Sequence, residues 1–344
     1  MANGSHKRLK FGIQVCDQHP TSDDPIARFD ELIEQVRLAR ELGFDTIVAA
    51  QHYLSHPHQM LQPIPLLARL AAETGEMRLA TCILLLPLLN PVDIAEQLAT
   101  LDIISHGRLA IGVGLGYRDE EFDAFGVPRG ERVKRLEENL DVLRRLLDGE
   151  SVTFESSYCH LSDASLALRP VQRPHPDIWL GANSDKAVRR TARLADTWVI
   201  NPHSRLDTLA RQVQEVYRPA LEELGKPFPT ELPIRREVYV GVDKATALRE
   251  AGPWLFPKYQ TYQAWGQDEV LPEGDDFSGE FEELLKDRFI LGSPEECIAE
   301  IGRYREVLGV TEILVRIQWP GMPQLQAMKN IEMIGRTLVE HHSK

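Results

Sequence analysis

Four short stretches carry side chains that could do chemistry. The first is Gln51-His52-Tyr53-Leu54-Ser55-His56-Pro57-His58, with three histidines in seven residues. An imidazole titrates near neutrality and can hold or pass a proton, so His52 is the candidate acid/base or hydrogen-bonding group, with Tyr53 beside it as a wall for a substrate. His56-Pro57-His58 imitates the paired histidines of metal-dependent barrel hydrolases. No further histidine, carboxylated lysine or aspartate follows where such a metal needs it, and Pro57 keeps His52 and His56 off one helical face. The reading is therefore no metal, with His56 and His58 at the surface. A zinc hydrolase is the competing class, to be settled by metal analysis.

The second stretch, Gly112-Val113-Gly114-Leu115-Gly116-Tyr117-Arg118, follows a β-branched run. Glycines here let the backbone approach a ligand closely, and free N–H groups serve phosphate or ring oxygens; alternatively they only make a turn. A dinucleotide fingerprint is a weaker reading, because it belongs after the first strand and should lead to an acidic residue ending the second. The third stretch is Gly181-Ala182-Asn183-Ser184-Asp185. Asn183 or Ser184 can cap a helix whose unpaired N–H groups attract a phosphate, or can cap it with no ligand at all. The fourth, Thr81-Cys82-Ile83-Leu84, reads on its own as buried strand, with Cys82 a small core residue.

The elements that must position these stretches recur along the chain. Helix-period segments end at Gly or Asp and give way to short β-branched runs at 46–50, 109–113, 197–200 and 312–316. Such repeats build a parallel sheet from βα units. Further strands at 10–16, 77–84, 177–181 and 235–241 bring the total to eight. Helices are expected at 26–42, 62–74, 91–105, 130–148, 184–195, 205–224, 294–308 and 322–341; in 130–148, Leu136, Leu140, Leu143 and Leu147 form one stripe. Eight alternating pairs favour a closed (β/α)8 TIM barrel, an α/β fold forming a single domain over 1–344, with the four stretches at the carboxyl ends of its strands, where barrels keep their active sites. Two stretches break the alternation: a hairpin at 151–168, and an excursion at 243–290. The second is rich in aromatics (Trp254, Phe256, Tyr259, Tyr262, Trp265) and then in acids. It is read as a partly helical, lid-like insertion over one barrel end. Trp319, after the last strand, and Tyr117 are expected as further pocket walls.

Charge and composition exclude several functions. The balance of 39 basic and 52 acidic residues gives −13, with no basic stripe, which argues against nucleic acid or an anionic membrane as partner. Four scattered cysteines (Cys16, Cys82, Cys159, Cys297) suit a reducing cytoplasm. No apolar run is long enough to span a bilayer and no signal peptide is expected; residues 1–6 are set aside from fold reasoning.

Taken in order, the segments resemble those of bacterial luciferase-like flavin monooxygenases. The resemblance runs through Gln51-His52-Tyr53, Thr81 to Pro87, Asn90-Pro91, and Ser105-His106-Gly107-Arg108 on to Phe122. It continues through Phe125-Gly126-Val127-Pro128, Glu131-Arg132, the Gly181–Ser184 loop, Ala195-Asp196-Thr197-Trp198 and Leu291-Gly292-Ser293-Pro294. Only about 243–288 falls outside it. The resemblance implies flavin at the strand ends, with its ring near a non-proline cis peptide that matches Cys82–Ile83. The Gly114-Leu115-Gly116 and Gly181–Ser184 loops would hold the ribityl chain and phosphate. Where the family often supplies an arginine for the phosphate stands Leu115, with Arg118 three residues on. Of the acidic and double-histidine pattern of many relatives at strand two, only His52 carries over.

The implied activity is oxygenation of a small organic substrate by reduced FMN and O2, with a separate flavin reductase as partner, since no NADH-binding domain is visible. A deazaflavin-dependent oxidoreductase transferring hydride is the alternative. The deazaflavin's acidic tail wants a basic channel, whereas the loops offer few cations beyond Arg118 and Lys186, which favours FMN. A non-catalytic flavin-binding protein is a further alternative. The aromatic insertion suggests an apolar or aromatic substrate, and a homodimer through helices two and three is expected.

Overall fold

In the computed structural model, residues 8–277 and 281–343 are described; the segment 1–6 lies outside them. Eight parallel strands form the barrel: β1 (Lys10–Gln14), β2 (Thr46–Ala49), β3 (Arg78–Leu85), β4 (Leu109–Gly114), β5 (Asp177–Ala182), β6 (Thr197–Ile200), β7 (Pro233–Val240) and β8 (Glu312–Arg316). Each pairs with its sequence neighbour, β8 pairs with β1, and Ile200 opposite Ile234 joins β6 to β7, so the sheet closes on itself. Parallel strands buried on both faces need apolar side chains throughout, which is why Leu109–Gly114 is buried along its whole length.

Helices α1 (Pro25–Glu41), α2 (Pro63–Leu70), α3 (Pro91–Ile104), α4 (Asp119–Ala124), α5 (Arg132–Asp148) and α6 (Asp185–Leu194) follow the first five strands. The expected helix 205–224 is α7 (Leu206–Arg211) running through a π-wound stretch, Gln212–Tyr217, into α8 (Arg218–Glu223). The outer faces of the strands and the apolar helix faces share one large core, while Val48, Ala80, Cys82, Ala110, Trp179, Val199 and Leu314 fill the barrel's inside. The first strand is shorter than expected: it stops at Gln14, and Gln18–Pro20 pairs antiparallel with His58–Met60 across the mouth. A separate antiparallel hairpin joins Val152–Glu155 to His160–Ala164.

Between Thr81 and Leu84 the pairing of β3 with β4 slips, and the Cys82–Ile83 peptide at that slip is cis. A bulge of this kind leaves backbone groups of the partner strand without their ladder bonds. The Thr81 hydroxyl takes their place, donating to Gly112 O at 2.9 Å and accepting from Gly112 N at 2.9 Å. The same close approach requires glycine, because a Cβ at position 112 would lie 2.1 Å from Thr81 O. Thr81→Val should therefore lower stability by about 1–3 kcal/mol for each orphaned group. Thr81→Ser should stay near wild type; a thermal melt in which both variants match wild type would contradict this.

The stretch 243–290 begins with α9 (Lys244–Ala264), continues through α10 (Phe281–Leu285) and ends in a short strand, Ile290–Gly292, that pairs with the carboxyl end of β7. Its apolar residues make a core of their own: Ala247, Ala251, Leu255, Tyr259, Phe277 and Phe289 pack with Tyr239, Trp319 and Met322. The remaining long helices are α11 (Pro294–Leu308), opened by a Ser293–Glu296 capping box, and α12 (Gln324–Ile334).

Candidate active site

A cavity of about 430 Å3 opens at the carboxyl ends of the strands, within the size range of small-molecule sites. It is lined from β2 by Gln51 and His52, from β3 by Cys82, Ile83 and Leu85, and from the β4 loop by Leu115, Gly116 and Tyr117. The β5 rim adds Gly181, Ala182, Asn183 and Ser184, so most of the residues singled out from sequence meet around one space.

His52 is held firmly. Its Nδ1 lies 3.0 Å from Glu121 Oε1, and the same oxygen accepts the Tyr53 backbone N–H at 2.9 Å. An ionised carboxylate only accepts, so facing Glu121 the Nδ1 carries the proton and Nε2 is the nitrogen left for chemistry. Around the ring stand Tyr117, Tyr262 and Trp265, with centroids 5.7, 5.9 and 5.4 Å away. Glu121 sits in the first turn of α4, fully buried. Arg118 lies 3.6 Å from it, donates to Tyr53 O and Leu54 O, and stacks over Trp265 at 4.2 Å. Glu121→Leu would strip His52, Tyr53 N and Arg118 of this acceptor, and should cost on the order of 3 kcal/mol of stability. Glu121→Gln should keep the fold while slowing turnover; wild-type melting by the leucine variant would remove Glu121 from this role.

At the β5 rim, Ser184 is the N-cap of α6: its side chain accepts from Ala187 N, and the exposed first turn faces the cavity through Ser184 and Ala187. Across the cavity wall stands Arg132, which opens α5, donates to Arg129 O at 2.9 Å and also lines the cavity. This supplies a cation for an anion at the helix N-terminus despite Leu115. Arg118, three residues on from Leu115, is tied to the 53–54 carbonyls and Glu120, and Lys186 is exposed outside the cavity.

Three expected residues sit elsewhere. Trp319 does not line the cavity; it is fully buried in the insertion's core, its Nε1 donating to Glu237 Oε2 at 2.5 Å. Tyr53 packs with Leu85, Leu88, Phe122 and Val127, and its hydroxyl takes a hydrogen bond from Gln51. Gly114 lies beneath Ile83, where a Cβ would meet Ile83 Cδ1 at 2.0 Å. His56 is exposed as expected, whereas His58 is half-buried beside Trp265. Of the five insertion aromatics only Tyr262 reaches the cavity; Trp254 bonds Gln326, and Tyr259 packs on Phe277 and Phe289.

The sequence reading missed the charged floor of the cavity. Arg235 of β7 holds Gln14 Oε1 and reaches Cys82 O at 3.3 Å. Arg316 ends β8, and Lys258 comes down from α9 to pair with Glu237. Burial pushes the Lys258 ammonium down to about 7, against the pull of Glu237. Burial and the neighbouring cations Lys258, Arg235, Arg288 and Arg316 hold the His203 imidazole far below its usual range. The signal was present in the charged residues Arg235 and Arg316 within the runs 235–241 and 312–316.

A closed parallel barrel with a small-molecule cavity at the strand carboxyl ends, walled by a cis bulge and a capped helix N-terminus, defines an enzyme of the barrel oxidoreductase class. The chain belongs to the luciferase-like monooxygenase family, whose model matches residues 9–312. It is similar to the monooxygenase RslO1 of Streptomyces bottropensis, with 26% identity and a TM-score of 0.84, covering 97% of this chain and 100% of that one. The fold is shared with the FMN complex of the oxygenating component of 3,6-diketocamphane monooxygenase from Pseudomonas putida (19%, TM-score 0.79, 96% and 98% covered). It is shared also with the coenzyme F420 dependent tetrahydromethanopterin reductase of Methanopyrus kandleri (19%, TM-score 0.71, 97% and 99%).

Proposed function

We propose that this chain is an FMN-dependent monooxygenase that takes reduced flavin from a separate reductase and uses O2 to oxygenate a small organic substrate. The observation that carries the reading is the arrangement around one cavity: a proton-handling His52 fixed by Glu121 at the β2 rim, and a helix N-terminus with Arg132 at the β5 rim, separated by the bulge of β3. These residues fit the group. Cys82 and Ile83 at the β3 rim would take the ring, Leu115 and Gly116 the ribityl chain, and Ser184, Ala187 and Arg132 the phosphate. Bound reduced flavin supplies two electrons and the means to activate O2. The chain's own part is to position, to exclude water and to move protons. Ile83, Leu85, Leu115 and Val199 line the cavity with apolar surface. Arg235, with no carboxylate among its hydrogen-bond partners in the described residues, offers positive charge beneath the ring site. His52 exchanges a proton through Nε2 while Glu121 keeps its tautomer.

FMN is favoured over a deazaflavin because the half-buried rim offers Arg132 opposed by the exposed Glu269, too little for a polyacidic tail. The insertion, whose Lys258, Tyr262 and Gln267 close one wall, acts in this reading as the lid. A shallow groove between α2 and α3, lined by Ile64, Ala68, Leu101 and Ile104, supports a homodimer through those helices. Four buried, unpaired cysteines suit a reducing cytoplasm. The test is isotopic: with reduced FMN, 18O2 and a panel of small organic substrates, one labelled oxygen should enter the product. Turnover that needs no O2 and moves hydride from a reduced deazaflavin would overturn the reading.

A further inference from the structure

We infer that the floor of the cavity, at Arg316, Lys258 and His203, is an anion subsite, so that the substrate carries a carboxylate or an ionised phenol. This rests on the flavin reading above for the place of the ring, though not for the charge count that follows.

Three basic side chains meet here: Arg316 and Lys258, both buried, and the half-buried Arg235. Two carboxylates share their surroundings. Glu237 is fully engaged, accepting from Lys258, Tyr259 and Trp319. Asp17 accepts the Ala50 N–H on one oxygen, and its other oxygen is buried with no partner among the described residues. Arg316 has no carboxylate in hydrogen-bond contact: it donates from one terminal nitrogen to Gln18 Oε1 at 3.1 Å, and its Nε has no partner among the described residues. Gln18 Oε1 is itself already shared with the Tyr262 hydroxyl. Gln14 Nε2 and His203 Nδ1 are likewise buried and unpartnered.

Counted formally, three basic groups face two carboxylates, and Arg316 Nε and Gln14 Nε2 are donors left without acceptors among the described residues. A buried guanidinium without an anion is costly, and an unmade donor in a dry site costs nearly as much. A ligand that brings one delocalised negative charge and two oxygen acceptors removes both costs at once. A neutral apolar substrate, which the aromatic insertion suggested, would leave them standing. Those aromatics are in fact turned into the insertion's own core, and what the insertion gives the cavity here is Lys258 and Tyr262.

The experiment uses the full chain and three probes: benzoate, its neutral methyl ester, and 4-nitrophenol, whose ionised form absorbs differently from its neutral one. Calorimetric titration should show benzoate binding at least tenfold more tightly than methyl benzoate, and bound nitrophenol should show the spectrum of the anion. Arg316→Met should weaken benzoate roughly 10–100-fold, the usual worth of a charge-assisted hydrogen bond. It should leave methyl benzoate and FMN affinities within about twofold. Because Lys258→Met would strand Glu237, the paired variant Lys258→Met with Glu237→Leu serves for the lysine, with the same expected direction. Should Arg316→Met not fold, the wild-type preference decides alone. Equal affinity for acid and ester, nitrophenol bound as the neutral phenol, or no binding of any probe at millimolar concentration would each overturn the subsite. FMN titrated into the same samples separates the two readings: anion-selective binding without FMN binding sinks the flavin, and the reverse sinks the subsite.

Discussion

Replacing His52 with alanine should lower turnover by about 10²–10⁴-fold, the range for removing a positioned acid/base group, while flavin affinity stays within about threefold of wild type. The split follows from where the ring is held. Its Nδ1 is spent on a buried carboxylate, so only Nε2 is available to the reacting groups. The rims of β3 and β4 stand between it and the capped helix on β5. Glu121→Gln should follow in the same direction but less steeply, because a positioning group acts only through the imidazole. Wild-type turnover in the alanine variant would take His52 out of the chemistry and leave it a wall residue among Tyr117, Tyr262 and Trp265.

The second large effect is expected at the phosphate end. Ser184→Asp keeps a good N-cap, because an aspartate accepts the same N–H groups a serine does. It places a negative charge where the cofactor's phosphate would lie. Like charges about 5 Å apart at an effective dielectric of about 20 repel by roughly 3 kcal/mol before screening. FMN affinity should fall about 10–100-fold and recover partly at high salt, whereas riboflavin, lacking the phosphate, should bind the variant as it binds wild type. Arg132→Ala should give the same FMN-against-riboflavin contrast with a smaller loss. Equal losses for both flavins would mean that the β5 rim shapes the cavity without meeting a phosphate.

Much of this was legible in the sequence because the signals were local. Leu109–Gly114 reads as strand since a strand buried on both faces must be apolar throughout, and Gly116, at φ +74°, sits where the cavity wall needs bare backbone. Ser184 before a helical run reads as a cap and is one. The rest depended on pairings across the fold. Glu121 lies in the acidic run Asp119-Glu120-Glu121 and looks like a solvated helix start; only its contact with His52, 69 residues away, marks it. Arg235 and Arg236 are neighbours in one strand, yet the first points into the cavity and the second stacks outside on Tyr304 at 4.6 Å. A period of two cannot say which face is inner until register is known. Trp319 and the insertion aromatics were placed at the cavity on residue type alone. Aromatics serve a packed core equally well, and the insertion uses them to build one against Tyr239 of β7 and Trp319.

The account turns on a flavin held at the rims of β3, β4 and β5. It is tested most directly by anaerobic titration of the apoprotein with reduced FMN and, in parallel, with a reduced deazaflavin coenzyme. The expected result is saturable one-to-one binding of FMN, tighter than that of the deazaflavin and weakened by Ser184→Asp. Absence of saturable FMN binding, or a clear preference for the deazaflavin, would contradict it.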